Sequence, residues 1–172
     1  MDKQNVEREK DMQAAVDALK KLSLGVLSKD LFVEIARLVV MPPVELVPLR
    51  MHEGKVQVLL LEREEGDTWS GQLHVPGSII RSIDEKGSFT SALDRICKNE
   101  LGDPHFDGEI IFMKFLFHQV KRGAEIAFVH WVELNKPVHG TFYDVDNLPH
   151  TIVDHQIPFI KEAAEQFKKS KQ

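Results

Sequence analysis

The 172-residue sequence predicts an α+β fold: an α/β/α sandwich with a mixed sheet, preceded by an N-terminal helical extension. Three observations carry this. Apolar residues at helical spacing stop at Pro42-Pro43, and from Val44 they fall into short β-rich runs. Two pairs of such runs are joined by tight polar turns, the pattern of two hairpins. One helical pattern lies between the hairpins and another closes the chain, an order that puts helices on a mixed sheet.

The elements follow in sequence. From about Asp2 to Leu22, Met12, Val16 and Leu19 recur at spacings of four and three, an amphipathic helix that Ser23 and Gly25 should end. "SKDLFVEIARL" predicts a second, shorter helix, capped by Ser28 or Asp30, with Leu31, Ile35 and Leu38 on one face and Pro42-Pro43 as its stop. "VELVPLR" and "KVQVLLLER", around "MHEGK", form the first expected hairpin, and "LHVPG" a short strand after the loop "EEGDTWSGQ". "EIIFMKFLFHQV" and "AEIAFVHWVEL", separated by "KRG", form the second. "TFYDVDNLP" runs extended into a turn, and "DHQIPFIKEAAEQFKKS" is the closing helix, with Pro158 in its first turn.

Composition narrows the function. Charged residues at 28% and apolar residues at 42% describe a folded globular chain of one domain, and a net charge of -5 lacks the basic footprint of a nucleic-acid binder. The short Lys-rich stretches at Lys20-Lys21 and Lys168-Lys169 read as solvated helix faces. No apolar run approaches the roughly 20 residues that a spanning helix needs, so no membrane partner is expected. A single cysteine, Cys97, excludes an internal disulfide framework and a multi-cysteine zinc site. With the charged start "MDKQNVEREK", it sets the expectation of a reducing, cytoplasmic location.

The chemistry is concentrated in "VPGSIIRSIDEKGSFTSALDRICKNELG". Phe89, Ala92, Leu93, Ile96 and Cys97 make a buried helical stripe, and Gly102 stands where a left-handed cap belongs. Residues 96, 99 and 100 fall within about 100° on the helical wheel. Three carboxylates there would make a site for a hard divalent cation, but Glu100 is the one carboxylate in the set.

This segment resembles a Nudix box, the signature of the Nudix hydrolase superfamily, in degenerate form from Gly77 to Gly102. Anchored on Gly102, Glu100 and Asn99 stand at the paired glutamates, Cys97 at the apolar position, Ile96 at the first helix glutamate and Arg95 at the arginine. "WSGQLHVPG" resembles the strand into the family's Pro-Gly-Gly, with Trp69, Pro76 and Gly77 matching and Ser78 in place of the second glycine. The loop is longer than the pattern by about four residues, which puts Gly87 at the loop glutamate and leaves Asp84 or Glu85 to reach its place. The order of the hairpins, the Leu-Pro turn and the last helix extends the resemblance over about Val39 to Phe167. It divides the chain into a helical extension, residues 1–38, and a Nudix-like domain, residues 39–172.

The resemblance implies divalent-metal-dependent cleavage of a pyrophosphate bond in a nucleoside diphosphate linked to another moiety, with magnesium or manganese as cofactor. The metal site would be weakened and built from Glu100, Asn99 and Glu85, with Glu100 and Arg95 as the catalytic residues. Gly77, His74, Trp69 and Tyr143 are the candidates for substrate binding. Trp69, Phe142 and Tyr143 can stack on a base or pack the rim, and Asp144 and Asp146 can supply a supplementary carboxylate or serve the turn before "NLP". Ile96 and Asn99 favour the alternative: a catalytically inactive Nudix-fold module that binds a nucleotide-derived small molecule or a protein, with the helical extension serving a homodimer or another partner.

Overall fold

The computed structural model describes residues 3–23, 27–84, 89–137 and 139–172. Two helices, α1 (Lys3–Leu19) and α2 (Lys29–Leu38), precede strands β1 (Pro43–His52), β2 (Lys55–Glu62), β3 (Leu73–His74) and β4 (Gly77–Ile79). Helix α3 (Thr90–Asn99) leads to β5 (Ile111–Val120), β6 (Gly123–Glu133) and β7 (Thr141–Asp144), and α4 (Ile157–Ser170) closes the chain. Among the described residues no helix is long and apolar enough to cross a membrane.

The sheet is mixed, as expected: β1 runs parallel to β6, and the other pairings are antiparallel, in the order β3-β2-β1-β6-β5. Its central strands read as almost unbroken apolar runs because helices cover both faces. On β1, Val44 and Leu46 face the α3 side with Ile96, Cys97 and Leu101, whereas Val47 and Leu49 face the α4 side with Phe159, Ala163 and Phe167. The same alternation divides β2, with Leu59 toward α3 and Val58 and Leu60 toward α4.

Strand β1 changes neighbour along its length. From Leu49 to His52 it pairs with β2, but from Pro43 to Glu45 the same edge pairs with β4. The expected strand "LHVPG" is therefore two short strands: β3 on β2, then β4 on β1, with Val75-Pro76 as the crossing point. Pro76 has no N–H to offer a ladder, and its carbonyl accepts from Leu46 N–H at 2.9 Å. The fork between β2 and β4 opens the cleft described below.

The N-terminal segment has two parts of different character. The described side chains of α1 are exposed, so its expected apolar stripe of Met12, Val16 and Leu19 covers no core of this chain. Ser28 caps α2, its Oγ accepting from Leu31 N–H at 3.4 Å, and α2 lies against β6. The contact face differs from the one expected: Ala36 is fully buried and Leu38 is 69% exposed. A side chain at Gly123 would place its Cβ 2.1 Å from Ala36 O, so glycine in the β5–β6 turn is what lets the helix sit this close. The helix ends at Leu38, and the chain turns away to Met41, which bonds Ala124 and Ile126 on β6 at 2.9 Å.

Phe159 is fully buried where α4 meets the sheet. Phe159→Ala is expected to lower stability by about 3–5 kcal/mol, read as a shift in urea midpoint at unchanged slope.

Candidate functional site

The C-terminal end of α3, the start of β4 and the end of β2 enclose a cleft of about 960 Å³. Glu100 is the last residue of the α3 turn, and its Oε2 accepts from Gly77 N–H at 3.1 Å. Gly77 is required by proximity. A Cβ there would lie 2.5 Å from Glu45 Oε2 and 3.1 Å from Val44 O, so two carboxylates, Glu45 and Glu100, approach the same backbone unit.

Both carboxyls bind their protons tightly. Burial pushes Glu100 up to about 7, against the Gly77 hydrogen bond and the cations Arg63 and Arg95. Burial pushes Glu45 up to about 8, with Arg63 pulling it down and Glu125 adding to the rise. Glu45 sits on the α4 face of β1, where Gln156 Nε2 donates to its Oε2 at 3.3 Å, and Gln156 Oε1 accepts from Val75 N–H at 3.0 Å. Burial and the Arg63 cation press His74 down to about 4, so it is neutral at physiological pH; its Nδ1 lies 2.6 Å from Val75 O.

Residues 96, 99 and 100 share a sector of the helix but not an environment. Ile96 is fully buried in the apolar layer between α3 and the sheet, Asn99 is exposed, and Glu100 lies between them at the cleft wall. The sector is therefore not a single metal-facing surface, because α3 docks with its Ile96 edge against Val44, Leu46 and Leu59. Glu85, the third expected ligand, lies outside the described residues. Among the described residues no three histidine, cysteine or carboxylate side chains are grouped to hold a metal. Magnesium asks for near-octahedral oxygen ligation. One hydrogen-bonded carboxylate and an exposed amide do not fit that demand.

The other expected residues have defined places. Arg95 pairs with Asp84 and also donates from Nη2 to Ile79 O at 2.8 Å, tying the segment after β4 to α3. Cys97 is buried, and desolvation raises its thiol to about 11, so it is a packing residue and not a nucleophile. His74, Gly77, Asn99, Glu100 and Tyr143 line the cleft. Trp69 does not offer its ring as a stacking surface. It is 6% exposed and lies beneath two guanidinium groups, Arg63 at 5.7 Å and Arg122 at 5.1 Å from the ring centroid. Asp144 is engaged by Lys55 at 2.9 Å and by Gln57, a cross-strand role, and Phe142 lies under Arg50.

Sequence reasoning passed over Glu45, Arg63 and Arg122. Glu45 carried a signal, a lone carboxylate inside a run buried on both faces. Arg63 ends a strand and Arg122 occupies a hairpin turn, both ordinary places for an arginine; only the fold turns them onto Trp69.

The architecture matches solved Nudix structures. The NUDIX domain of Shewanella oneidensis NrtR, complexed with ADP ribose, superposes with a TM-score of 0.62 at 14% identity, over 82% of this chain and 99% of that one. A mutT/nudix family protein from Listeria innocua gives 0.58 at 16% identity, over 76% and 95%. The C-terminal domain of mouse MUTYH, in complex with human PCNA, gives 0.58 at 13% identity, over 76% and 91%. No family model and no curated protein matches the sequence. The chain has the Nudix fold.

The raised Glu100 carboxyl makes stability depend on pH. Between 4.5, its ordinary value, and about 7 the folded state holds a proton that the unfolded state has lost, so stability falls as pH rises through that window. Glu100→Gln removes this slope. Its stability relative to the natural chain is expected to climb from about pH 4.5 to about 7 and stay level above, read from urea midpoints; a pH-independent difference would mean that Glu100 ionises normally.

Proposed function

We propose that this Nudix-fold chain is a binding module for a nucleotide-derived small molecule and does not depend on divalent-metal hydrolysis. The observation that carries the reading is the division of the α3 sector: Ile96 is in the core, Asn99 is exposed at the cleft rim, and Glu100 is the one carboxyl of the three at the cleft, held by Gly77 N–H. Phosphoryl transfer in water relies on charge neutralisation and positioning by metal, and this wall supplies too few hard ligands for it. The cleft is nonetheless large enough for a nucleotide, and its wall combines backbone, amide, carboxyl and aromatic groups. The NrtR domain with ADP ribose supports the choice of ligand class, and the MUTYH domain with PCNA supports a binding role for this fold.

A second reading, metal-dependent hydrolysis of a nucleoside diphosphate derivative, is favoured by Glu100 itself. A carboxyl that titrates near 7 inside a cleft suits proton transfer at neutral pH. Under that reading Arg95 positions the loop and Asn99 and Glu85 complete the ligand set.

Titration calorimetry with ADP-ribose, with ³¹P NMR following the ligand, separates the two. Saturable binding with a Kd on the order of 1–100 μM is expected, with the ligand recovered intact. Release of AMP that requires magnesium or manganese and disappears in Glu100→Gln would establish the second reading in its place. Absence of binding would remove the first.

A further inference from the structure

The cleft at Glu100 adjoins a second cavity of about 710 Å³ beneath the N-terminal helices, and the two share Lys29, Phe32, Arg63, Gly77 and Arg122. Their outer parts differ in chemistry. The second cavity is walled by apolar groups, among them Leu19, Leu27 and Ile35 before the sheet and Ile79 and Ile80 at the end of β4. The first, beyond the shared residues, is acidic and rich in hydrogen-bond acceptors: the carboxylates Glu62, Glu64, Glu65 and Asp67, with Asn99 and Thr141.

The shared strip between them is cationic and held in place from behind. Arg122 Nε donates to Glu125 Oε1 at 2.6 Å, and Arg63 Nη1 donates to Asp67 Oδ2 at 2.9 Å. Both guanidiniums rest near the Trp69 ring, which limits their rotation. Arg63 Nε is buried and has no acceptor among the described residues. Lys29, the first residue of α2, is exposed and makes no ion pair among the described residues, and its Nζ reaches the loop after β2 beside Gly66. Arg81 adds a further cation to the second cavity. The one carboxylate in that lining, Glu45, holds its proton at neutral pH and does not offset them.

Apolar, cationic and acceptor-rich surfaces in a row match the order base, diphosphate, polyol. We propose that Lys29, Arg63 and Arg122 clasp the diphosphate of a nucleoside diphosphate joined to a polyhydroxylated group. The base lies against Phe32 in the cavity under α1 and α2, and the polyol in the cleft beside Glu62 and Asn99. The assignment rests on the binding reading above and deepens it in two respects. The protein's own cations neutralise the diphosphate in place of a divalent metal, through charge-assisted and bidentate hydrogen bonds. The N-terminal segment belongs to the site, since Lys29 and Phe32 come from α2.

The test is calorimetry on the full chain with ADP-ribose, ADP and ribose 5-phosphate, in excess EDTA and in magnesium. Natural sequence, Lys29→Glu and Phe32→Ala are compared, and circular dichroism checks that each variant is folded. Lys29 is exposed, so its reversal leaves the core intact. The natural chain is expected to bind ADP-ribose equally with EDTA or magnesium, to within about twofold. Lys29→Glu should weaken ADP-ribose and ADP by about tenfold or more. Phe32→Ala should weaken both while leaving ribose 5-phosphate unchanged. Binding that needs magnesium, or binding unaltered in both variants, would overturn this assignment and leave the binding reading standing. No binding of ADP-ribose to the natural chain in either condition would overturn both.

Discussion

Strand β1 is buried on both faces and bonded along both edges, and on one edge it exchanges β2 for β4 within ten residues. A strand cannot pair with two neighbours on one edge at the same place, so the exchange forces β2 and β4 apart. The cleft is that separation. Its wall carries Gly77 at the first residue of β4 and Arg63 just past the end of β2, and Glu45, at the last β1 position paired with β4, lines the adjoining cavity. The parallel pairing of β1 with β6 brings the β5–β6 turn, and with it Arg122, toward the same end.

Electrostatics in this corner follow from that crowding. Glu45, Glu100 and Glu125 are drawn together with Arg63 and Arg122 in a region from which water is largely excluded. Carboxyls without a close cationic hydrogen-bond partner, Glu45 and Glu100, keep their protons. Glu125, held by His118 and Arg122, is ionised despite its burial. The division is that of desolvation against pairing, and the charged groups of the strip that the two cavities share are Lys29, Arg63 and Arg122.

The fold was legible because its signals are local. The change of apolar period at Pro42-Pro43, the two-residue turns at Glu53-Gly54 and Lys121-Arg122, and Pro158 at the head of the closing helix each act within a few residues. The brace of Arg95 on Asp84 was also within reach, since box register places the two on facing segments. Less legible was the way α2 docks. Leu38 has the periodicity of a core residue and lies in solvent, because Gly123 admits Ala36 to closest contact and sets the rotation of the helix.

The sequence by itself determined the helices, the hairpins, the order of elements and the presence of Ile96 and Asn99 beside Glu100 on one helix sector, all of which depend on residue type and spacing along the chain. The tertiary structure alone decided what those residues face and what stands opposite them. Glu45, Arg63, Gly77, Glu100 and Arg122 are spread over most of the domain in sequence, and they meet only through the register of β1 with its three neighbours. Register between distant strands is set by which apolar faces bury together, a cooperative choice of the whole sheet that no single stretch of residues contains.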